Sequence, residues 1–145
     1  MKITIEDVRS GEEEEIIIRC RNLSDSLLKL INDLKTGDKK IAGSLNGNIT
    51  MIEPQHIYYF ESVDNKVFIY CKQNVYESKL KLYEIEDEYV DSNFFRASKS
   101  VILNIAKIKS ISPAYSGRFE ALLFNGETVV ISRQYVPALK KKLGL

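Results

Sequence analysis

The sequence predicts a mainly β fold of the α+β class, with short helices, preceded by a small N-terminal β-β-α unit. The β assignment depends on two observations. Apolar and polar residues alternate with a period of two from Lys39 onward, which is the spacing of a strand with one buried face. Two pairs, Asn46-Gly47 and Asn125-Gly126, each separate such runs, and Asn-Gly favours a tight hairpin turn because both residues tolerate positive φ.

The first 40 residues predict two strands followed by one helix. Ile3 and Ile5 belong to the first strand, and Ile16–Cys20 form the second strand after the acidic run Glu12–Glu15. Ser24-Asp25-Ser26 is a helix N-cap signal. In the helix that follows, the apolar face consists of Leu27, Leu30, Ile31 and Leu34. Gly37 is the expected C-terminal stop. We therefore expect residues 1–40 to form an appendage and residues 41–145 to form the main domain.

Hairpins dominate the first half of residues 41–145. KIAGSL and NITMIE flank the first Asn-Gly pair, and Pro54 ends the second of these strands. IYYFES and KVFIYCK flank the turn Val63-Asp64-Asn65, and VYESK follows as a further strand. A short helix is expected around residues 82–89, with Leu82, Ile85 and Tyr89 facing inward.

The C-terminal third begins with FFRASKSVILNIAKIKSI, which becomes a buried strand once it reaches Val101. RFEALLF and ETVVIS then flank the second Asn-Gly pair. The final helix is expected to begin between Ser132 and Val136, because Pro137 is tolerated only within the first helical turn.

The charges are strongly separated along the chain, although the formal net charge is only +1. Residues 94–145 contain nine Lys/Arg and two Asp/Glu, whereas residues 47–93 contain four and nine. A basic surface of this kind concentrates polyanions, so nucleic acid or an anionic membrane is the expected partner. The longest aliphatic runs have three residues, and the first ten residues do not resemble a secretory signal, so we expect a cytoplasmic protein.

Few residues fit catalytic chemistry. His56 is the single histidine, the two cysteines are isolated, and the chain has neither a GxSxG motif nor a phosphate-binding glycine loop. The sequence therefore predicts no enzyme, no cofactor and no metal site. A small hydrolase built around His56 is a competing hypothesis, and its activity would disappear in His56→Ala.

The short connector at Arg96–Ser100 carries cations and hydroxyl groups immediately before a buried strand. A solvent-exposed loop without a binding function is the simplest explanation for these residues. Lysine, arginine and serine are also the donors that contact phosphates and base edges, and connectors can present them from a rigid β scaffold. Lys140–Lys142 fit either DNA contact or a helix C-terminus, where cations complement the dipole.

Three ordered stretches match a known pattern: IEPQHIYYFES, FFRASKSVILNIAKIKSI and LLFNGETVVISRQYVPALKKKL. Together they resemble the LytTR DNA-binding domain of bacterial regulators of the LytR/AlgR type, over about residues 40–145. The matching residues of the last two stretches are Phe95, Arg96, Lys99, Ser100, Asn104, Ile105, Ile108, Asn125, Gly126, Ser132, Arg133 and Tyr135. The resemblance implies an elongated arrangement of β-sheets whose loops enter successive major grooves.

By this resemblance, three places should contact double-stranded DNA: the loop after Glu61, the connector and the Ser132-Arg133 turn. The resemblance implies contacts from Asp64, Asn65 or Lys66, from Lys99 and from Arg133, and the neighbouring donors are Arg96, Ser98, Ser100 and Gln134. Ser98 stands where the family usually has a histidine, and the loop after Glu61 has no arginine or histidine. Arg96 could instead pair with a carboxylate of the acidic helix and orient the connector.

The leading hypothesis is a transcriptional regulator that binds direct-repeat promoter sites as a homodimer, its own promoter included. The resemblance is to small stand-alone members of the family, because about 40 residues are too few for a receiver domain. Such members are typically held in check by a membrane protein encoded beside them. An alternative is a non-catalytic signalling module whose N-terminal unit binds a membrane protein, with DNA contact secondary. Residues 1–40 could dimerise, dock a partner or cap the edge of the sheet.

Overall fold

The computed structural model describes residues 1–36, 39–89 and 92–145, and within these residues ten strands form two antiparallel sheets. The larger sheet has the order β2-β1-β5-β4-β3-β7-β6, and the smaller sheet has the order β10-β9-β8. The strands are β1 (Ile41–Leu45), β2 (Asn48–Ile52), β3 (Ile57–Val63), β4 (Lys66–Cys71), β5 (Val75–Ser78), β6 (Phe94–Arg96), β7 (Val101–Asn104), β8 (Ile108–Pro113), β9 (Phe119–Leu123) and β10 (Thr128–Ile131). The helices are α1 (Asp25–Thr36), α2 (Leu82–Glu88) and α3 (Val136–Lys142).

The predicted mainly β fold with short helices is confirmed. Asn46 and Gly47 both have positive φ in the two-residue turn between β1 and β2. The second Asn-Gly pair lies in a wider turn of four residues between β9 and β10, where Gly126 has a φ of 88°. The final helix begins at Val136, within the expected range, after a 3-10 turn at Arg133–Tyr135.

The larger sheet contributes to two hydrophobic cores, one on each face. The paired residues Phe60 and Ile102 belong to the first core, which α2 covers with Leu82 and Ile85. Leu103, the next residue along β7, belongs to the second core instead. Alternation along the strand thus divides neighbouring residues between the two cores.

The second core joins the larger sheet to the smaller sheet and to α3. Its fully buried members include Leu103 from the larger sheet, Ala121 and Ile131 from the smaller sheet, and Leu139 from α3. Packing of these side chains fixes the position of the smaller sheet on the larger one. It therefore also fixes how the loops of one sheet lie relative to those of the other.

The prediction of two N-terminal strands is wrong. Residues 1–24 contain no strand in the structure, and Ile3 and Ile5 are 83% and 90% exposed. Of the residues before Ile41 whose burial the structure describes, none belongs to either core cluster. Alternation alone did not produce strands here, because a hairpin of two strands is marginal in water unless a further layer buries its apolar side.

The predicted helix of the N-terminal unit is present as α1. Its side chains are poorly buried, since Leu28, Leu30 and Leu34 are each about half exposed. The predicted stop at Gly37 lies outside the described residues. Within the described part of the chain, no helix combines the length and the hydropathy of a membrane-spanning segment.

Candidate nucleic-acid interface

The turn between β3 and β4 contains the first group of predicted contact residues. Asp64 and Asn65 both have positive φ, of 50° and 64°, and short polar side chains tolerate this conformation best among non-glycine residues. The main-chain oxygen of Asn65 accepts a hydrogen bond from Lys81 Nζ at 3.2 Å. Asn65 and Lys66 are exposed at the tip of the hairpin.

The connector between β6 and β7, residues 97–100, contains the second group. Its backbone is closed by Ala97 N, which donates to Val101 O at 2.9 Å. Ser98 Oγ accepts from the amide of Ser100 at 3.3 Å, so this serine hydroxyl bonds within the connector. Lys99 and Ser100 are exposed, whereas Ser98 is half-buried.

Arg96 holds the connector from inside. Its Nε donates to Ser98 O at 2.7 Å, and one terminal nitrogen donates to Lys99 O. The other terminal nitrogen bonds Glu86 Oε2 of α2 at 2.7 Å. The Arg96 side chain is only 20% exposed, so the structure uses it as the carboxylate-paired, loop-orienting residue that was one of its two predicted roles.

The turn after β10 contains the third group. Ser132 has extended backbone angles, and residues 133–135 form a 3-10 turn that leads into α3. Arg133 and Gln134 are exposed, while Tyr135 packs against the second core. The sequence places two polar residues before an anchoring aromatic, and this fixes the base of the turn while its polar side chains reach solvent.

Backbone hydrogen bonds bring the three groups together. Ser62 N, just before the first turn, donates to Ser100 O at 2.8 Å, and Ser132 N donates to Ala97 O at 2.8 Å. The connector thus lies between the other two groups. We call these three segments, residues 63–66, 97–100 and 132–134, the loop row.

Asn104 was predicted only as a motif residue, and the structure shows its role. This side chain is 2% exposed, its Nδ2 donates to Ile57 O at 2.8 Å, and its Oδ1 accepts from Ala106 N at 3.0 Å. It joins β7 to the start of β3 at the end of these strands away from the loop row. Satisfied buried amides of this kind fix strand register.

Part of the positive charge of the C-terminal third serves packing. Lys107 Nζ lies 5.0 Å from the centre of the Tyr58 ring, and Lys140 Nζ lies 5.4 Å from that of Phe119. Lys142 Nζ donates to Phe94 O at 2.9 Å and joins α3 to β6. Two of the terminal lysines, Lys140 and Lys142, thus contact aromatic or main-chain groups of the fold itself.

Glu61, Tyr59 and Tyr70 lie together on one face of the larger sheet, in the two strands that the first turn connects. Tyr70 donates to Glu61 Oε1 at 3.1 Å, and its ring stacks on Tyr59 with centroids 4.3 Å apart. Burial, and then the Glu127 carboxylate that accepts its hydrogen bond, raise the pKa of Tyr59. Burial and Glu61 also raise the pKa of Tyr70. Both phenols therefore stay protonated donors at neutral pH.

One neighbour of the loop row was missed by sequence reasoning. Gly117, in the loop between β8 and β9, lies so close to Arg133 that an added Cβ would be 3.0 Å from Arg133 Cδ. The dipeptide Ser116-Gly117 is a turn signal, but a contact over sixteen residues depends on strand register that a single sequence does not reveal.

His56, the basis of the hydrolase hypothesis, lies outside the loop row. It ends a 3-10 turn before β3, its side chain is 66% exposed, and its Nε2 is 3.9 Å from Glu53 Oε2. Among the described residues, no group of His, Cys, Asp and Glu side chains could hold a metal ion.

Comparison with known proteins connects this arrangement to one family. A family model described as the LytTr DNA-binding domain matches residues 47–144. A solved LytTr DNA-binding domain from Bacillus cereus aligns with a TM-score of 0.71 and 26% sequence identity, over 75% of this chain and 100% of that one. The residues that the family model matches include every segment of the loop row.

Three relatives match over nine-tenths or more of this chain. The sensory transduction protein LytT of Enterococcus faecalis is 31% identical over 138 residues, and that of Bacillus subtilis is 24% identical over 130 residues. The matches cover 92% and 90% of this chain but only 57% and 54% of those proteins. A Staphylococcus aureus protein named as an HTH-type transcriptional regulator is 24% identical over 147 residues, covering 100% of this chain and 99% of its own length.

Proposed function

The chain belongs to the LytTR DNA-binding domain family, and from this membership we propose that it regulates transcription by reading promoter DNA through the loop row. The observation that carries the proposal is the joining of three polar segments, distant in sequence, into one row by two backbone hydrogen bonds. Exposed donors on rigid neighbouring loops are what phosphate and base-edge contacts require.

The predicted contact residues take different roles in this proposal. Arg133 reads a base edge, for which its planar guanidinium is suited, and Gln134 and Lys99 contact the DNA beside it. Asn65 and Lys66 contact DNA from the β3–β4 turn. Ser98 and Ser100 either shape the connector or contact DNA from it. Arg96 positions the connector through its bonds to two main-chain oxygens.

The test is a selection of duplexes from a random-sequence pool by the wild-type protein, followed by titration of the enriched duplex. Arg133→Ala should weaken binding by about 1–3 kcal/mol and relax preference at one base position. Lys72→Ala is the control, because Lys72 is exposed and follows β4 at the end of the sheet away from the loop row. Failure of the pool to enrich any sequence at low salt would reject the proposal.

Direct-repeat sites, dimerisation on DNA and control of the chain's own promoter are finer parts of the proposal. One loop row is short compared with a promoter site, so two copies are expected on two repeats. Changing the spacing of the repeats in the enriched duplex by half a helical turn should then abolish cooperative binding. Equal cooperativity at every spacing would remove the dimer from the proposal.

A membrane partner, or a signalling role in which DNA contact is secondary, is the second candidate. It is favoured by the exposed apolar side chains of the N-terminal segment, residues 1–36, because a concentration of exposed apolar residues in one segment is a feature of interaction sites. These residues are Met1, Ile3, Ile5, Val8, Ile16, Ile17, Leu23, Leu28, Leu30 and Leu34. Loss of promoter control on co-expression of the neighbouring membrane protein, restored by Leu30→Glu, would support docking of the partner there.

A further inference from the structure

The loop between β8 and β9, residues 114–118, is short and closed by its own backbone. Ala114 N donates to Arg118 O at 2.8 Å, and Arg118 N donates to Tyr115 O at 3.2 Å. Ser116 and Gly117 both have positive φ, of 58° and 77°. Consecutive residues in this conformation, bonded across the base of the loop, give it one defined shape.

Strand register places this loop at the same end of the smaller sheet as the Arg133 turn. Pro113 pairs with Phe119, and Phe119 pairs with Ile131, the residue just before Ser132. The Arg133 side chain passes Gly117 so closely that an added Cβ would be 3.0 Å from its Cδ and 3.2 Å from its Cγ. The loop therefore extends the loop row by one element, on the far side of Arg133 from the connector.

The side chains that this loop exposes are donors. Tyr115 is 91% exposed, and Ser116 and Arg118 are exposed beside it. Among residues 1–36, 39–89 and 92–145, no ion pair involves Arg118. A phenol and a guanidinium are ordinary phosphate ligands in protein–DNA contacts.

The closest alternative is that the loop is merely solvated. An exposed tyrosine and an exposed arginine on a turn would then have no common purpose, and the absent side chain at Gly117 would be explained by its positive φ alone. The contact with Arg133 argues against this explanation. It requires a small residue at position 117 independently of the positive φ. The stem of the proposed base-reading residue lies 3.0 Å from the position that an added Cβ would take, which is tighter than an ordinary van der Waals contact.

We propose that residues 114–118 are a fourth DNA-contacting segment, in which Arg118 and Tyr115 bind backbone phosphates while Gly117 supports the stem of Arg133. This inference rests on the proposed function and deepens it. It adds a segment to the three that the family resemblance implied. It also assigns to Gly117 a positioning role in base readout.

The experiment compares variants on two duplexes, the one enriched from the random pool by the wild-type protein and a scrambled duplex of the same composition. Arg118→Ala should weaken binding to both by a similar factor and lower the slope of log K against log salt by about 0.9, the loss of one phosphate contact. Tyr115→Phe, which removes only the hydroxyl, should weaken binding to both duplexes without changing the ratio of the two affinities.

Gly117→Ala should act differently, because its added methyl group would push against the stem of Arg133. The ratio of affinities for the enriched and scrambled duplexes should fall by roughly fivefold or more, as expected when a base contact is lost. Gly126→Ala is the matched control, since Gly126 also has positive φ but an added Cβ there meets nothing within 4 Å. Both variants should show a similar fall in Tm, and only Gly117→Ala should lose discrimination.

The outcomes separate the two proposals. If the wild-type protein enriches no duplex, the proposed function itself is wrong. If it does, but Arg118→Ala leaves the salt slope unchanged and Gly117→Ala discriminates as well as Gly126→Ala, the fourth segment is wrong and the function stands. Arg118→Ala does not alter a strained backbone position, so it keeps the test decisive should Gly117→Ala fail to fold.

Discussion

Arg96 donates to three oxygens, and the cost of changing it depends on which of them it keeps. Lysine retains the charge but cannot supply the planar fork that bonds Ser98 O, Lys99 O and Glu86 together. A cation in a DNA-binding motif can therefore act through the backbone of a loop without contacting DNA. Composition alone cannot distinguish these two roles.

We expect Arg96→Lys to lower the free energy of unfolding by about 1 kcal/mol, because bonds to two main-chain oxygens are lost. Glu86→Gln is the control. Its side chain is 48% exposed, so its ion pair should contribute no more than about 0.5 kcal/mol. Urea unfolding measures both changes, and an unchanged midpoint in Arg96→Lys would contradict the positioning role.

Tyr59 makes the stability of the fold sensitive to alkali. Burial and the Glu127 carboxylate raise its folded-state pKa above the ordinary tyrosine value of about 10, so the folded state retains the proton after the unfolded state has lost it. The stabilisation is complete below pH 10 and decreases as the pH rises above it. Urea unfolding below and above pH 10 should show this decline, and Tyr59→Phe should reduce it. An equal decline in both proteins would exclude Tyr59 as its source, while Tyr70 and Tyr89, whose pKa values burial also raises, contribute to what remains.

At the scale of elements, close strand packing in the larger sheet depends on the absence of a side chain at Gly43 of β1. An added Cβ there would lie 2.7 Å from Ile52 Cδ1 of β2 and 2.7 Å from Tyr76 Cβ of β5. Both neighbours belong to the first core or pack against it. The glycine therefore lets three adjacent strands share one tightly packed face.

Gly43→Ala should destabilise the protein by about 1–3 kcal/mol through overpacking. Ser44→Ala, one residue along β1 and on the opposite face, should change the unfolding free energy by less than about 0.5 kcal/mol. Thermal or urea unfolding compares the two variants. Equal stability of Gly43→Ala and the wild-type protein would mean that Ile52 and Tyr76 move aside freely.

The elements differ in how far the sequence predicts them. Alternation located β3, β4 and β5 to within one residue, because each strand has one face in a core. The same pattern at Ile3 and Ile5 gave no strand, since no further layer covers it in the structure. A periodic pattern indicates the capacity to be buried, and a partner surface decides whether burial occurs.

At the scale of the whole molecule, the candidate site is an effect of register between distant segments. The resemblance named Lys99 and Arg133, but the bond from Ser132 N to Ala97 O that makes them neighbours joins two different sheets. A single sequence does not contain that register. For the same reason the contact between Gly117 and Arg133 could not be foreseen.

The division of the chain at residue 40 can be tested by truncation. Among the residues whose burial the structure describes, both cores begin at Ile41 or later, so residues 39–145 should fold alone with a Tm close to that of the full chain. The truncated protein should keep its affinity for a single DNA site and lose whatever association the N-terminal segment provides. Thermal unfolding measures the first property and light scattering the second. A large fall in Tm would show that residues 1–36 stabilise the main domain.

The most direct test of the central claim is a titration of the enriched duplex at several salt concentrations with the wild-type protein, Lys99→Ala, Arg133→Ala and the Lys72→Ala control. We predict a steep salt dependence for the wild-type protein, a slope smaller by about 0.9 for a variant that loses a phosphate contact, and no change for Lys72→Ala. Arg133→Ala should also lose base preference at one position. Equal affinity and equal salt dependence in all four proteins would contradict the claim that the loop row reads DNA.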